Sequence, residues 1–360
     1  MSSGTTKVNK PLLKGSMSAQ HLSTNPSKLA DKRVLVTGGA GFIGSELVRQ
    51  LLDLKARVSV LDNFSSGKAE YLRALNVEVI RGSVTNDEIV QLALEDQEFV
   101  FHLAALPFIP DAYADPRPFF ETNVEGTVLM AWNAARTKSL RSFVHVSSSE
   151  VYGSAQSIPM NEDHPTIPHS TYAASKLSGD RAIATMQKEN DLPAVIIRPF
   201  NSYGPRFTQP YIIPEIMTNL LNSNAVTLGN VDASRDFTFV ADTARGIILA
   251  ATSDSARGET INLGSGISIT IRQLVKEIAD LMKRDTVTIT FDETRLRPWD
   301  VEKLECDYTK AKRILGWEPK ISLREGLLET LKWLKANPVR LRQPFRGWPR
   351  SDYKLNREEG

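Results

Sequence analysis

Arg33-Val34-Leu35-Val36-Thr37-Gly38-Gly39-Ala40-Gly41-Phe42-Ile43-Gly44 is the stretch that decides the fold. A short β-branched run ends in a glycine turn, and an amphipathic helical pattern follows over Glu46 to Leu54. Gly38 permits the tight turn, Gly41 lets the backbone approach a bound group, and Gly44 lets helix and strand pack closely. The helix start then offers free N–H groups and a partial positive charge to an anion. Outward from this unit, apolar strands alternate with helical patterns. Val58–Leu61, Val77–Ile80, Phe99–Leu103, Phe143–Val146 and Val195–Ile197 read as strands, and Phe119 to Arg136 reads as a helix. Near-continuous apolar strands separated by helices predict an α/β, doubly wound parallel sheet covered on both faces. Such sheets hold ligands beyond the carboxyl ends of their strands.

Asp62 closes the second strand, eighteen residues after Gly44. A carboxylate there accepts hydrogen bonds from an adenosine ribose and repels a 2′-phosphate. Asn63 and Phe64 follow, with no arginine. Strand, turn, helix and acid in register predict a Rossmann domain that binds NAD in preference to NADP.

Composition narrows the remaining classes. The 360 residues are 41% hydrophobic with a net charge of +2, enough for a substantial core and too balanced to favour nucleic acid or an acidic membrane. One cysteine, Cys306, cannot form an internal disulfide, and the five histidines show no metal-ligand spacing, so no metal is expected. No apolar stretch is long enough to span a bilayer, and no signal-peptide core is visible. A soluble, cytoplasmic protein is expected. Residues 1–30 read as a disordered tail and 31–199 as the NAD-binding domain. Residues 200–335, with shorter segments, read as mainly a smaller substrate-binding lobe with some return to the sheet. Helices are expected at Ala241 to Ala251, Ile271 to Met282 and Leu323 to Leu334. Residues 336–360 read as a basic tail, either solvated or docked on a partner.

A second set of residues carries chemistry. Tyr172 and Lys176 stand four apart on an expected helix and so share a face. An ammonium beside a phenol would lower its pKa and make Tyr172 a base for a sugar hydroxyl. Ser147-Ser148-Ser149-Glu150 follows the fifth strand, where such a sheet presents groups to ligand. Ser148 could hydrogen-bond the reacting oxygen. On spacing alone, a polar strand end and a helix-start carboxylate read equally well.

With these residues in hand, the chain resembles the extended short-chain dehydrogenase/reductase family, the NAD-dependent nucleotide-sugar epimerases and dehydratases. The matching pieces run in family order over about residues 31–335. They are the glycine turn, Asp62-Asn63, His102-Leu103-Ala104-Ala105, Thr122-Asn123 with Gly126-Thr127, Tyr172 with Lys176, and Arg198-Pro199-Phe200-Asn201-Ser202-Tyr203-Gly204-Pro205. The resemblance implies cofactor contacts at Gly38, Gly41, Phe42, Ile43, Gly44, Asp62, Asn63, Ser83, Val84, Leu103, Ala104, Ala105, Asn123, Tyr172, Lys176 and Pro199. It implies that Tyr172 removes the proton of the sugar 4-hydroxyl while NAD takes hydride from carbon 4, leaving a 4-keto sugar. Epimerases then return the hydride to the other face, decarboxylases lose the 6-carboxylate, and dehydratases remove the carbon-5 proton and expel the 6-hydroxyl.

Glu150 stands where dehydratases carry the carbon-5 base. Ser149 stands where dehydratases of the deoxythymidine-nucleotide type carry an Asp, so Glu150 would serve as both base and acid. A Ser-Glu pair looks like the GDP-mannose dehydratases, the UDP-glucuronate decarboxylases and, closest, the legionaminic-acid dehydratases acting on nucleotide-linked N-acetylglucosamine. Arg295-Leu296-Arg297-Pro298 adds to that likeness. The implied substrate contacts are Ser148, Glu150 and Asn201, with Arg235 and Arg297 neutralising a diphosphate. The expectation is a UDP- or GDP-N-acetylglucosamine 4,6-dehydratase. A 5,6-dehydratase, UDP-glucuronate decarboxylase or 4-epimerase remains open, as does a catalytically silent NAD-binding scaffold. The family also implies a homodimer through helices near 119–136 and 171–189.

Overall fold

The computed structural model describes residues 26–338. The expectations for residues 1–25 and 339–360 lie outside the described residues. Pro26–Leu29, taken above with the tail, form a 3-10 turn, and Leu29 is fully buried in the main core. An isolated leucine in a polar stretch gives no periodic signal, which is why it read as tail.

Seven strands form one parallel sheet. They are β1 (Arg33–Thr37), β2 (Arg57–Asp62), β3 (Glu78–Arg81), β4 (Phe99–His102), β5 (Ser142–Val146), β6 (Ala194–Pro199) and, later in the chain, Thr260–Leu263. The spatial order is β3, β2, β1, β4, β5, β6 and then Thr260–Leu263. The chain therefore reverses direction across the sheet between β1 and β4, and the crevice opens there. Pairing is in strict register, with Val34 beside Val58 and Phe99, and Leu35 beside Ser59 and Val100. Alternate residues serve opposite faces. Val34 and Val36 join one buried cluster, while Leu35 joins another.

The helices before β6 are α1 (Phe42–Asp53), α2 (Asp87–Leu94), α3 (Ile109–Ala114), α4 (Arg117–Phe120), α5 (Gly126–Ala134) and α6 (Thr171–Glu189). α1 supplies Leu47, Val48 and Leu51 to one face, and α2, α5 and α6 supply Val90, Met130 and Ile183 to the other. The helix expected from Phe119 to Arg136 is broken. A π-helical turn at Glu121–Glu125 separates α4 from α5.

Beyond β6 lie β7 (Asn201–Tyr203), α7 (Ile212–Asn222), β8 (Ala225–Leu228), β9 (Ser234–Phe239), α8 (Val240–Thr252), β10 (Thr260–Leu263), β11 (Ser268–Thr270), α9 (Ile271–Leu281), β12 (Thr288–Phe291), α10 (Thr309–Leu315) and α11 (Leu323–Ala336). α8 and α10 pack on the main sheet, with Ile247, Ile248 and Ile314 in its core. The rest gathers on a second core of Ile216, Met217, Leu220, Leu274, Ile278, Leu327 and Leu331. β7, β9 and β11 form a small sheet there, and β8 pairs with β12.

Candidate active site

The glycine turn is shaped by contact. Gly38 has φ +69, and a Cβ on it would lie 2.8 Å from the Ala104 nitrogen. A Cβ on Gly44 would lie 2.1 Å from the Gly38 oxygen, so only glycine lets α1 start against the turn. Gly41 caps α1 without a side-chain bond. The first-turn N–H groups thus have no intrahelical partner and front the cavity. At the end of β2, Asp62 accepts from Ala40 N (2.9 Å) through Oδ2 and from Phe64 N (2.8 Å) through Oδ1. Burial pushes its carboxyl pKa up, and these two bonds oppose the rise. A cradle that a Cβ would fill, beside a carboxylate held by backbone, fits a dinucleotide and its ribose.

This cradle opens into a cavity of about 440 Å³ between the sheet and the smaller core. Gly38, Gly41, Phe42, Ile43, Gly44, Asp62, Asn63, Val84, Leu103, Ala104, Ala105 and Pro199 line its cofactor end. Ser148, Ser149, Glu150, Tyr172, Lys176, Asn201, Arg235 and Arg297 line the same space. Two expected contacts do not. The Ser83 hydroxyl turns to Thr85 Oγ1 at 2.8 Å, in the turn before α2, and leaves Gly82 and Val84 on the wall. Asn123 is fully buried, where it accepts from Leu106 N (2.8 Å) and donates to Ser175 Oγ (2.9 Å). The π turn draws Asn123 inward, and it is Thr122 that lines the cavity.

Ser170 caps α6 by accepting from Ala173 N at 3.1 Å, which anchors the first turn under Tyr172. The Tyr172 ring packs edge-on against Phe119, with centroids 6.4 Å apart. Lys176, 3% exposed, donates from Nζ to the Val146 carbonyl at 2.7 Å. Burial lowers its pKa to about 8, opposed by the charge of Asp180. The Tyr172 phenol is not lowered by Lys176 as expected. Burial pushes it up to about 12, opposed by a hydrogen bond with Ser148. Desolvation of the phenolate dominates, and the Glu150 and Asp180 charges add to the rise.

Ser148 also caps the 3-10 turn Ser149–Tyr152, accepting from Glu150 N at 3.2 Å. That turn sets the Glu150 carboxylate, 8% exposed, on the cavity wall. Arg297 Nη1 lies 4.0 Å from Glu150 Oε2, and Arg297 Nε lies 3.7 Å from Asp300 Oδ1. Arg235 Nη2 reaches Asp300 Oδ1 at 3.4 Å. Burial pulls the Arg235 pKa down, and the Glu150 charge opposes this. The two arginines thus belong to a shared charge cluster rather than to surface ion pairs.

Sequence reasoning missed Asp300, Asn230, Glu215, Arg295, Phe108 and Tyr211, all on the cavity wall. Arg295 pairs with Glu215 of α7, and Asn230 donates to Asp300 Oδ2 at 3.1 Å. Of these, Arg295 alone lies in a segment matched by the family resemblance, Arg295–Pro298. Phe108 and Tyr211, which meet edge-on, sit in irregular segments with no motif.

Glycine cradle, terminal acid, Tyr172–Lys176 pair and strand-end carboxylate in one crevice define an extended short-chain dehydrogenase/reductase. The chain belongs to the GDP-mannose 4,6 dehydratase family, whose profile matches residues 35–330. It is 34% identical over 318 residues to a UDP-glucose 4-epimerase of Mycolicibacterium smegmatis, covering 84% of this chain and 98% of that one. It is 31% identical over 321 residues to a UDP-N-acetyl-alpha-D-glucosaminuronate decarboxylase of Bacillus cytotoxicus, covering 84% and 98%. The crystal structure of DesIV, a dTDP-glucose 4,6-dehydratase from Streptomyces venezuelae with NAD bound, superposes with TM-score 0.79 at 33% identity, covering 85% of this chain and 97% of that one. Near-equal identities to three reactions establish a nucleotide-sugar enzyme of this superfamily and leave the reaction to the site.

Proposed function

We propose that this chain is an NAD-dependent dehydratase of a UDP- or GDP-linked N-acetylglucosamine, acting through a 4-keto sugar. The observation that carries this reading is the Glu150 carboxylate, set on the wall that Tyr172 shares and unaccompanied by an aspartate at Ser149. Asp62 and the glycine turn hold NAD, which when bound accepts and returns a hydride. Tyr172 takes the proton of the 4-hydroxyl, with Ser148 hydrogen-bonded to the same oxygen. Lys176 supplies positive charge beside them. A carbon-5 hydrogen next to a ketone is acidic, so Glu150 suffices to remove it and then protonates the departing 6-hydroxyl. Asn201, Arg235 and Arg297 bind the diphosphate end.

The pairing of Arg297 with Glu150 favours a second reading. A guanidinium at that place also suits a 6-carboxylate, as a decarboxylase or a glucuronate 4-epimerase would need. Incubation with UDP-N-acetylglucosamine, GDP-N-acetylglucosamine and UDP-glucuronate, followed by mass spectrometry, separates the two. Loss of water supports the dehydratase; loss of carbon dioxide or an unchanged mass rejects it. We further propose a homodimer through the α4–α5 and α6 region, where Phe120 and Trp132 are exposed, checked by sedimentation equilibrium. The lone buried Cys306 fits a reducing, cytoplasmic setting.

A further inference from the structure

Tyr172, Lys176 and Asp180 stand at successive four-residue steps on α6 and so form one stripe. The first two line the cavity. Asp180 lies behind them, 2% exposed. Its Oδ2 accepts from Arg198 Nε at 2.9 Å. Its Oδ1 lies 3.4 Å from His145 Nε2 but makes no hydrogen bond among the described residues. Ser147, just past β5, lies buried with its hydroxyl making no hydrogen bond among the described residues.

The charges around it do not balance pairwise. From α6 come the Lys176 ammonium and the Tyr172 phenol, and from β6 the Arg198 guanidinium. From β5 comes His145, stacked on His102 of β4 with centroids 5.7 Å apart. Burial pulls both imidazoles below their ordinary range, opposed at His145 by the neighbouring Asp180 carboxylate. Arg198 spends Nη1 on the Tyr152 hydroxyl at 3.0 Å, which in turn donates to Asn262 Oδ1 at 2.7 Å. One carboxylate therefore bonds the Arg198 guanidinium directly and stands one helical turn from a second buried cation, the lysine of the site.

We propose that Asp180 is a positioning residue for the reaction, holding Lys176 in its ammonium form beside Tyr172, and not only the counter-ion of Arg198. A buried ammonium that, among the described residues, donates to the Val146 carbonyl sheds its proton readily, and Asp180, one turn along the same buried stripe, is the acid placed to oppose this. The proposal rests on the reading that Tyr172 and Lys176 run the chemistry. Its first readout does not.

The protein is labelled with ¹³Cε-lysine and titrated by NMR, with Lys176 assigned by its loss in Lys176→Met. In Asp180→Asn the Lys176 resonance is expected to titrate about one pH unit or more lower, and Asp180→Glu is expected to restore it. Asp180→Asn/Arg198→Met removes both partners, so no guanidinium is left buried alone; its lysine is expected to titrate between the other two. The alkaline limb of the pH–rate profile should move to lower pH by the same interval, because activity ends where the ammonium is lost. An unmoved lysine in folded Asp180→Asn, or in the double variant if the single one does not fold, overturns the proposal. If the lysine moves while no nucleotide sugar is turned over by the unmodified chain, the functional reading fails and the charge coupling stands.

Discussion

Glu150 and Tyr172 reach one cavity by different routes, and their roles separate in single substitutions. Glu150 is delivered by a 3-10 turn that Ser148 caps, whereas Tyr172 stands on the first turn of a long helix. Glu150→Gln keeps the shape and removes the base, so turnover should fall about 10²–10⁴-fold while NAD affinity, read by fluorescence titration, is unchanged. A variant that still released water at the original rate would remove Glu150 from the mechanism. Gly44→Ala acts on the cradle instead. Its methyl would press on the Gly38 carbonyl, a backbone atom with no freedom to move aside. NAD binding should be lost and the thermal midpoint lowered, and calorimetry with and without NAD reads both.

Elements decide how firmly those residues are held. α6 begins at Ser170, whose hydroxyl accepts from Ala173 N, and Tyr172 sits within that capped turn. Ser170→Ala should cost about 1 kcal/mol in urea denaturation. It should also lower kcat more than it raises KM, because the turn that frays carries the base. The helices with periodic apolar faces were legible in sequence. Ile271–Leu281 and Leu323–Ala336 appear nearly where the pattern put them, each opened by a capping box at Thr270 and Ser322. α7 was not, because Pro214 lies in its first turn and the preceding loop reads as irregular. The π turn at Glu121–Glu125 was also invisible, since it lies inside a stretch that reads as one helix and has no Gly or Pro to mark it.

At the scale of the whole molecule, burial sets a pH dependence of stability. Lys176 titrates at about 8 in the folded protein against an ordinary 10.5. Between those values the unfolded chain binds more protons, so this group's contribution to stability rises with pH. Tyr71, Tyr152 and Tyr172 are pushed up to about 12 from 10.0. Their contribution is complete below pH 10 and is lost as the pH climbs towards 12. Urea denaturation across this range should show the rise from 8 in the native chain and its absence in Lys176→Met, followed in both by a fall above 10. An identical rise in Lys176→Met would exclude the lysine as its source.

The sequence by itself determined the sheet and the glycine cradle with its strand-end acid. Both are local: a β-branched run, glycines at fixed spacing, and an acid at the next strand end are constrained by backbone geometry within one strand–helix–strand unit. It also determined that Tyr172 and Lys176 share a face, since helical periodicity requires it. Only the tertiary structure decided what surrounds them. It turned Ser83 onto Thr85, sank Asn123 under the Leu106 backbone, and brought Arg235, Arg297 and Asp300 to Glu150 from more than eighty residues away. It also raised the Tyr172 phenol where adjacency to a lysine suggested the opposite. Electrostatics depends on burial and on partners distant in the chain, and neither is written in the spacing of residues.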